Sequence, residues 1–249
     1  MNAGSAIAFE GVGKTYSLAL HLVGGVKGLL LKPREAMRRM HAGRRECLDD
    51  ITFEVARGES VAIIGRNGVG KSTMLALIAG VIAPTTGRVV VRGRVSPLLE
   101  LGAGFHPELS GRDNILLNGV LLGMRRSEVK RKSADIIAFA ELEESIDEPI
   151  RVYSSGMLAR LGFAVAVHLE PEILLVDESL AVGDAKFQQK CIAKISELHR
   201  QGVTTVLVSH DLDSVSRLCQ RALVLEAHRI AFAGPVDDAI RFYKARVGQ

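Results

Sequence analysis

GRNGVGKST, residues Gly65–Thr73, follows the apolar run Ser60–Ile64 and precedes a segment of helical character, TMLALIAGVI. It matches the pattern G-x-x-x-x-G-K-[ST], in which backbone N–H groups of a glycine-rich loop converge on phosphates at the start of a helix. Lys71 would place its charge on the β- and γ-phosphates, and Ser72 would ligate Mg²⁺. The loop residues expected to contact the nucleotide are Gly65, Asn67, Gly68, Val69, Gly70, Lys71, Ser72 and Thr73.

Two acids, Asp177 and Glu178, follow a second apolar run, Ile173–Val176. An acid at the tip of a buried strand can hold Mg²⁺ through water, opposite Ser72. The next carboxylate is then positioned to accept a proton from an attacking water molecule. A solvated acidic turn would give the same letters, so it is the pairing with the upstream loop that favours a catalytic role.

His210 stands just after a third apolar run, Val203–Val208. The carboxyl end of a parallel strand faces the crevice in which such sheets bind ligands. We therefore expect His210 to hydrogen-bond the γ-phosphate and to hold the attacking water. The other six histidines, His228 among them, are expected to be structural or surface residues.

Alternating strand-like and helix-like segments predict an α/β fold with a parallel core. A helix is expected over Asp184–Arg200, with Gly202 beyond its end. Residues 98–170 have a mostly helical pattern and predict an inserted helical subdomain. Residues 221–234 predict a β-hairpin around Ala227–His228, followed by a C-terminal helix.

The stretch from Ser17 to Arg45 begins apolar and ends basic. It holds one acid, Glu35, against seven basic residues: Lys27, Lys32, Arg34, Arg38, Arg39, Arg44 and Arg45. Such a pattern is typical of an amphipathic element at a membrane surface or membrane partner. A solvated surface loop would show it too, and the pattern alone leaves both possibilities open.

Composition narrows the class of protein. Apolar residues make up 47% and charged residues 24% of the 249 residues, values typical of a soluble globular protein of one large domain or two small ones. No apolar run is long enough to cross a membrane and no signal peptide is evident, which predicts a cytosolic chain. Three cysteines without a CxxC pair indicate neither a disulfide framework nor a zinc site. A net charge of +4 and 4% aromatic residues do not favour nucleic-acid binding.

Together these motifs resemble the ATP-binding-cassette (ABC) ATPases along nearly the whole chain. Gly65–Thr73 resembles the Walker A motif, Ile173–Glu178 the Walker B motif with its catalytic glutamate, and His210 the switch histidine. Ser179–Asp184 resembles the D-loop, and Tyr16 the aromatic residue that stacks on adenine. The family signature, usually Leu-Ser-Gly-Gly-Gln, is represented by Tyr153–Met157, with Ser154, Ser155 and Gly156 expected to contact nucleotide, as is Asp184. The family's metal-contacting glutamine is missing; Glu100 lies nearest its position, with Leu101 as the alternative.

The resemblance implies a P-loop NTPase cassette with a mostly parallel core sheet, an antiparallel β subdomain and an inserted helical subdomain. On this view the catalytic core spans residues 1–97 and 171–249, the helical subdomain 98–170, and a membrane-facing insertion 17–45. ATP and Mg²⁺ are the implied cofactors. Metal contacts would fall on Ser72, Asp177 and Glu100, and catalysis on Glu178, His210 and Lys71. A head-to-tail dimer would place the signature of one copy on the nucleotide of the other.

Three phrases, LLELGAGFHPELSGRDNI, RVYSSGM and ESLAVGDAKFQQKC, narrow the resemblance to exporters of bacterial surface polysaccharides. That group implies an ABC-2-type permease partner, a lipid-linked polysaccharide reached through the permease, and a peripheral position on the cytoplasmic face of the inner membrane. Because the chain ends at Gln249, we expect no additional C-terminal carbohydrate-binding domain. The alternatives are a soluble ABC ATPase acting on ribosomes or DNA, and a regulatory module that binds nucleotide without hydrolysing it.

Overall fold

The computed structural model describes residues 4–17, 44–98, 104–168, 170–177 and 184–247. These ranges contain nine strands and seven helices. The strands are β1 (Ser5–Ser17), β2 (Arg44–Ala56), β3 (Ser60–Gly65), β4 (Thr86–Val91), β5 (Val95–Leu98), β6 (Ile173–Val176), β7 (Thr204–Val208), β8 (Arg221–Glu226) and β9 (Arg229–Pro235). The helices are α1 (Lys71–Ile78), α2 (Gly111–Leu121), α3 (Arg126–Ala140), α4 (Ser155–His168), α5 (Ala185–Arg200), α6 (Leu212–Leu218) and α7 (Val236–Val247), with a 3₁₀ turn at Ile150–Val152.

A six-stranded sheet in the order β5-β6-β7-β3-β8-β9 forms the centre of the fold. Its first five strands run parallel and β9 pairs antiparallel with β8. Every residue of β3, β6 and β7 is buried, as expected for parallel strands covered on both faces. The three strands predicted from apolar runs are therefore confirmed, and so is the α/β fold class.

Successive residues of the central strands face two different cores. Ala62 and Ile64 pack among residues of α4, α5, α6 and α7. Val61 and Ile63 pack instead against α1 and the antiparallel sheet. This alternation follows from the two-residue period of a strand, and each fully buried aliphatic side chain contributes about 1.5–3 kcal/mol to folding.

A three-stranded antiparallel sheet, β2-β1-β4, covers one of these faces. Phe9 and Phe53 stack across β1 and β2 with ring centroids 4.6 Å apart. The two strands stay paired up to Ser17↔Arg44, with Tyr16 opposite Arg45. The membrane-facing insertion over residues 17–45 stays a prediction, and its end residues Ser17 and Arg45 belong to β1 and β2. Residues 18–43 lie outside the described ranges.

Three helices, α2, α3 and α4, lie between β5 and β6 in the chain, where the helical segment was predicted. They enclose a core of their own that includes Ile115, Ile136 and Leu161. Helix α4 contributes to two cores, since its Phe163 packs in the core of the central sheet. Helix α4 thus joins the helical region to the sheet.

The two remaining local predictions are also confirmed. Helix α5 begins where expected, because the Asp184 side chain accepts the N–H of Phe187 as an N-cap, at 2.8 Å. Gly202 follows that helix with a φ of 85°. The β8–β9 hairpin turns at Ala227 and His228. Of the helices in the described ranges, none combines the length and apolarity needed to cross a membrane.

Candidate functional site

The glycine-rich loop follows β3 and ends at α1. Gly70, its last residue before the helix, has a φ of 116°. A Cβ at Gly70 would lie 2.4 Å from the carbonyl oxygen of Cys47 on β2. Both the backbone conformation and the close approach therefore require glycine at this position.

Lys71 is the first residue of α1 and is buried. Its ammonium group donates to the carbonyl oxygens of Gly65, at 2.9 Å, and Arg66, at 3.3 Å. The side chain therefore folds back over its own loop. The backbone N–H dipoles of the first helical turn add positive potential at the same place. This combination favours an anion.

A cavity of about 420 Å³ opens above the loop. It is lined by Arg45, Cys47, Asn67, Gly68, Gly70, Lys71, Ser72, Thr73 and Asp177. Gly65 and Asp177 stand at the carboxyl ends of β3 and β6, and these two strands flank β7 in the sheet. Parallel strands bring their carboxyl ends to one edge, which is how residues more than a hundred positions apart meet. We call this the loop cavity.

Two cavity residues, Arg45 and Cys47, were not predicted as part of the site. Both lie on β2, and a guanidinium nitrogen of Arg45 is 3.7 Å from where a Cβ of Gly68 would be. Their position depends on how the antiparallel sheet packs against the loop. The two-residue period of a strand indicates that Arg45 and Cys47 share one face of β2. It does not indicate which face of β2 meets the loop.

Tyr16 and His210 are not among the residues that line the loop cavity. Tyr16 is 39% exposed, pairs across the sheet with Arg45, and has the Lys14 ammonium 5.1 Å from its ring centroid. His210 follows β7, the strand between β3 and β6, and is exposed. The turn beyond it is fixed by Asp211, whose pKa is lowered chiefly by the hydrogen bond from Ser214.

A second cavity, of about 690 Å³, holds the other group of predicted residues. Ser154, Gly156 and Asp184 line it, together with Arg160. The Ser154 hydroxyl accepts the N–H of Met157 at 3.2 Å and so caps α4. Ser155 is the first residue of that helix. We call this the signature cavity.

Arg160 forms hydrogen bonds to two other residues that line the signature cavity. It donates to Glu141 at 3.1 Å and to Asp184 at 2.9 Å, and its guanidinium carbon lies 4.9 Å from the Phe187 ring centroid. The hydrogen bond from Lys190 is the main cause that lowers the pKa of Glu141. The pKa of Asp184 is lowered mainly by the N–H of Phe187. Both carboxylates therefore stay ionised at neutral pH.

Several predicted residues fall outside the described ranges. These are Glu178, Glu100 with its alternative Leu101, and residues 179–183 of the predicted D-loop. Among the described residues, no group of three or more His, Cys, Asp or Glu side chains is arranged to hold a metal ion. Burial raises the pKa of the Cys191 and Cys219 thiols to about 12, so they are protonated packing groups.

Comparison with known proteins places this geometry in context. Residues 48–181 match the ABC transporter family. The chain is 52% identical to the O-antigen export system ATP-binding protein RfbB of Klebsiella pneumoniae, over 96% of this chain and 97% of that protein. It is 40% identical to the teichoic acids export ATP-binding protein TagH of Listeria innocua, over 95% of this chain and 69% of that protein. A solved ATP-binding subunit of an ABC transporter superposes with a TM-score of 0.77 at 22% identity, covering 97% of this chain and 95% of that one.

Proposed function

The chain belongs to the ABC transporter family, and from that premise we propose that it is the ATP-hydrolysing subunit of a bacterial exporter that moves a lipid-linked surface polysaccharide across the inner membrane. One observation carries the enzymatic part: Lys71, Ser72 and Asp177 line one cavity over a helix N-terminus. The transported class rests on the similarity to O-antigen and teichoic acid export proteins.

Binding of ATP in the loop cavity follows from the charges and donors present. The phosphates would meet the backbone N–H groups of the loop and the Lys71 ammonium, which a buried position keeps close to the loop carbonyls. Arg45 adds a second cation at the cavity wall. Tyr16, paired with Arg45 across the sheet, would stack on the adenine.

The donor set in the loop cavity fits Mg²⁺. A hydroxyl and a carboxylate are hard oxygen ligands, and Ser72 and Asp177 supply one of each. Protein sites for Mg²⁺ use few side chains and complete the shell with phosphate oxygens and water. When bound, the ion would neutralise charge that develops on the phosphates.

The chemistry assigned to the chain's own residues is the positioning and deprotonation of water. We propose that Glu178, next to Asp177, accepts a proton from the attacking water and that His210 hydrogen-bonds the γ-phosphate. His210 follows β7, between the strands that carry the loop and Asp177, which supports its assignment. Glu100 remains the proposed substitute for the family's glutamine.

A second copy of the chain is the proposed source of the missing wall of the site. Ser154, Ser155, Gly156 and Asp184 lie at the signature cavity, apart from the loop cavity of the same chain. The nearest atom to a Cβ built at Gly156 is the Ser154 hydroxyl, at an ordinary 3.7 Å. Because packing within the chain does not demand glycine there, the open backbone is suited to close approach by a ligand. In a head-to-tail dimer, the nucleotide bound by the other copy would be that ligand.

An ABC-2-type permease is the proposed membrane partner, with this subunit peripheral on the cytoplasmic face. The catalytic core would comprise residues 1–97 and 171–249. The helical subdomain, residues 98–170, and the insertion between β1 and β2 would transmit motion to the permease. Helix α4 supports this transmission, since it packs in both the helical core and the central core.

Co-purification from native membranes under mild detergent tests this function. We expect a polytopic permease to accompany the tagged wild-type chain, and ATP turnover in the purified complex. Recovery with ribosomes or DNA and without a permease would favour the soluble alternative. An intact complex without ATP turnover would favour a regulatory module.

A further inference from the structure

The turn between β8 and β9 has an unusual backbone. Its two central residues, Ala227 and His228, have φ angles of 46° and 67°. Two-residue hairpin turns with both angles positive are normally built from Asn-Gly or Asp-Gly, because a Cβ disfavours this conformation. Such a conformation persists where contacts beyond the hairpin hold it in place.

Those contacts lead to the nucleotide site. Nδ1 of His228 lies 3.2 Å from the carbonyl oxygen of Val69 in the glycine-rich loop and 3.2 Å from that of Cys47 on β2. The His228 carbonyl oxygen accepts the N–H of Asp49 at 2.9 Å. Asp49 also accepts from Arg229, at 2.7 Å. The turn is thus hydrogen-bonded both to the glycine-rich loop and to β2, which together line the loop cavity.

The partners of Nδ1 determine where the imidazole carries its proton. Carbonyl oxygens only accept hydrogen bonds, so a nitrogen between two of them must be the donor. His228 therefore has Nδ1 protonated and shares that hydrogen between β2 and the loop.

This shared hydrogen bond acts where the loop is tightest. Gly70 follows Val69, and a Cβ on it would lie 2.4 Å from the same Cys47 oxygen that His228 contacts. In a trans peptide the C=O and the next N–H point in opposite directions. Holding the Val69 oxygen toward His228 therefore turns the Gly70 N–H to the opposite side of the loop. Backbone N–H groups of such loops are the donors to phosphate.

We propose that His228 is a positioning residue of the nucleotide site, which holds the Val69–Gly70 peptide in its phosphate-binding orientation through the Nδ1–H. His228 was expected to be a structural or surface residue, and this role is more specific. The inference rests on the proposed function, because it concerns the affinity for nucleotide. His228 touches the loop and not the reacting atoms, so its effect is on binding.

Two substitutions at His228 separate the effect of the side-chain donor from the effect of the backbone conformation. His228→Asn keeps a side-chain N–H close to the position of Nδ1 and tolerates the left-handed conformation. His228→Gly keeps the conformation and removes the donor. With ADP and Mg²⁺ as the probe in titration calorimetry, we expect His228→Gly to bind about fivefold to tenfold more weakly than wild type, as for one lost hydrogen bond. His228→Asn should stay within about twofold.

The possible results separate a failure of the proposed His228 role from a failure of the proposed function. Normal ADP binding by wild type and His228→Gly alike would overturn the positioning role alone. An equal loss in both variants would also overturn it, because the donor would then not be what matters. Wild-type protein that fails to bind ADP would overturn the proposed function, and the inference with it.

A second measurement needs no variant. In ¹⁵N-labelled wild-type protein at neutral pH, the His228 imidazole should give the nitrogen shifts of the Nδ1–H tautomer. An Nε2–H tautomer with a bare Nδ1 would contradict the hydrogen-bonding scheme directly.

Discussion

Lys71 is a buried cation whose ammonium group contacts carbonyl oxygens of its own loop. Burial of a charge is costly unless it is paired or hydrogen-bonded. The two loop carbonyls supply part of that compensation while keeping the charge over the loop cavity. Phosphate oxygens would offer the ammonium group a negatively charged partner, and hydrogen bonds to charged groups are worth more than neutral ones.

Lys71→Ala should therefore lose most nucleotide affinity. We expect about 10- to 100-fold weaker ATP binding, equivalent to about 1.5–3 kcal/mol for a hydrogen bond to a charged group. Equilibrium titration with a fluorescent ATP analogue measures it. Lys194→Ala, which removes a lysine paired with Glu197 on α5, is the matched control and should bind normally. Unchanged affinity in Lys71→Ala would mean that the loop does not bind phosphate.

Arg45→Ala should weaken ATP binding by a smaller amount. Because Arg45 is exposed at the rim of the loop cavity, its charge is screened, and about a twofold to fivefold loss is expected at low salt. The loss should shrink as salt is raised. Arg88→Ala, at an exposed position of β4 in the same sheet, should have no effect. Equal effects of the two variants would remove Arg45 from the site.

The loop residues could be predicted because their signal is local: glycines, lysine and serine at fixed spacing between a strand and a helix. Asp177 was predictable for the same reason, as the acid that ends a buried strand. Arg45 and Cys47 were not, because their approach to the loop depends on the β1–β2 register and on sheet packing. The contact of His228 with the loop could not be predicted either, because it depends on how a hairpin more than 150 residues away packs against the loop.

Helices α4 and α5 are joined by a network of charges rather than by apolar contacts alone. Arg160 on α4 bonds Asp184 at the start of α5 and Glu141 after α3, and Lys190 on α5 bonds Glu141 at 3.0 Å. The start of α5 could be predicted from Asp184 and from the spacing of its apolar residues. The network could not, because sequence alone does not show that the left-handed residue after α3, Glu141, faces both helices.

Stability should depend on pH through this network. The pKa of Glu141 is lowered from its usual value of 4.5 by the Lys190 hydrogen bond first. A lowered folded-state pKa gives stability that is present above pH 4.5 and is lost as pH falls through the folded-state pKa. Lys190→Met should therefore cost about 0.5 kcal/mol, or about 1–2 °C in Tm, near pH 7.

The difference in Tm between wild type and Lys190→Met should shrink as the pH is lowered below 4.5. Scanning calorimetry across that range measures it. Lys130→Met, at an exposed position of α3, should show no such trend. A gap that stays constant with pH would mean that the Glu141 charge is not what Lys190 stabilises.

Two cavities on one chain, each lined by residues that we propose to form part of a nucleotide site, are the main feature of the molecule. The phosphate loop and Asp177 line one, and Ser154, Gly156 and Asp184 line the other. The α/β class and the mostly parallel sheet could be predicted from the buried runs. The antiparallel strands β1 and β2 are separated in the chain by residues 18–43, so their pairing could not be predicted from the sequence.

Export should depend on the insertion independently of ATP turnover. Neutralising Arg34, Arg38 and Arg39 by glutamine is expected to reduce export of surface polysaccharide in cells while leaving ATPase activity of the isolated subunit within about twofold. Arg45 is kept unchanged in this variant because it lines the loop cavity. Immunoblotting of surface polysaccharide beside a phosphate-release assay measures both. Normal export would favour a solvated loop.

The most direct test of the account is sedimentation velocity of the Glu178→Gln variant with and without ATP and Mg²⁺. Removing the proposed base should leave ATP bound but not hydrolysed, so a dimer should accumulate only when ATP is present. Adding Lys71→Ala to the same chain should return it to monomer. A Glu178→Gln protein that stays monomeric with saturating ATP, or that turns ATP over at the wild-type rate, would contradict the central claim that two copies enclose the nucleotide held by the loop and Asp177.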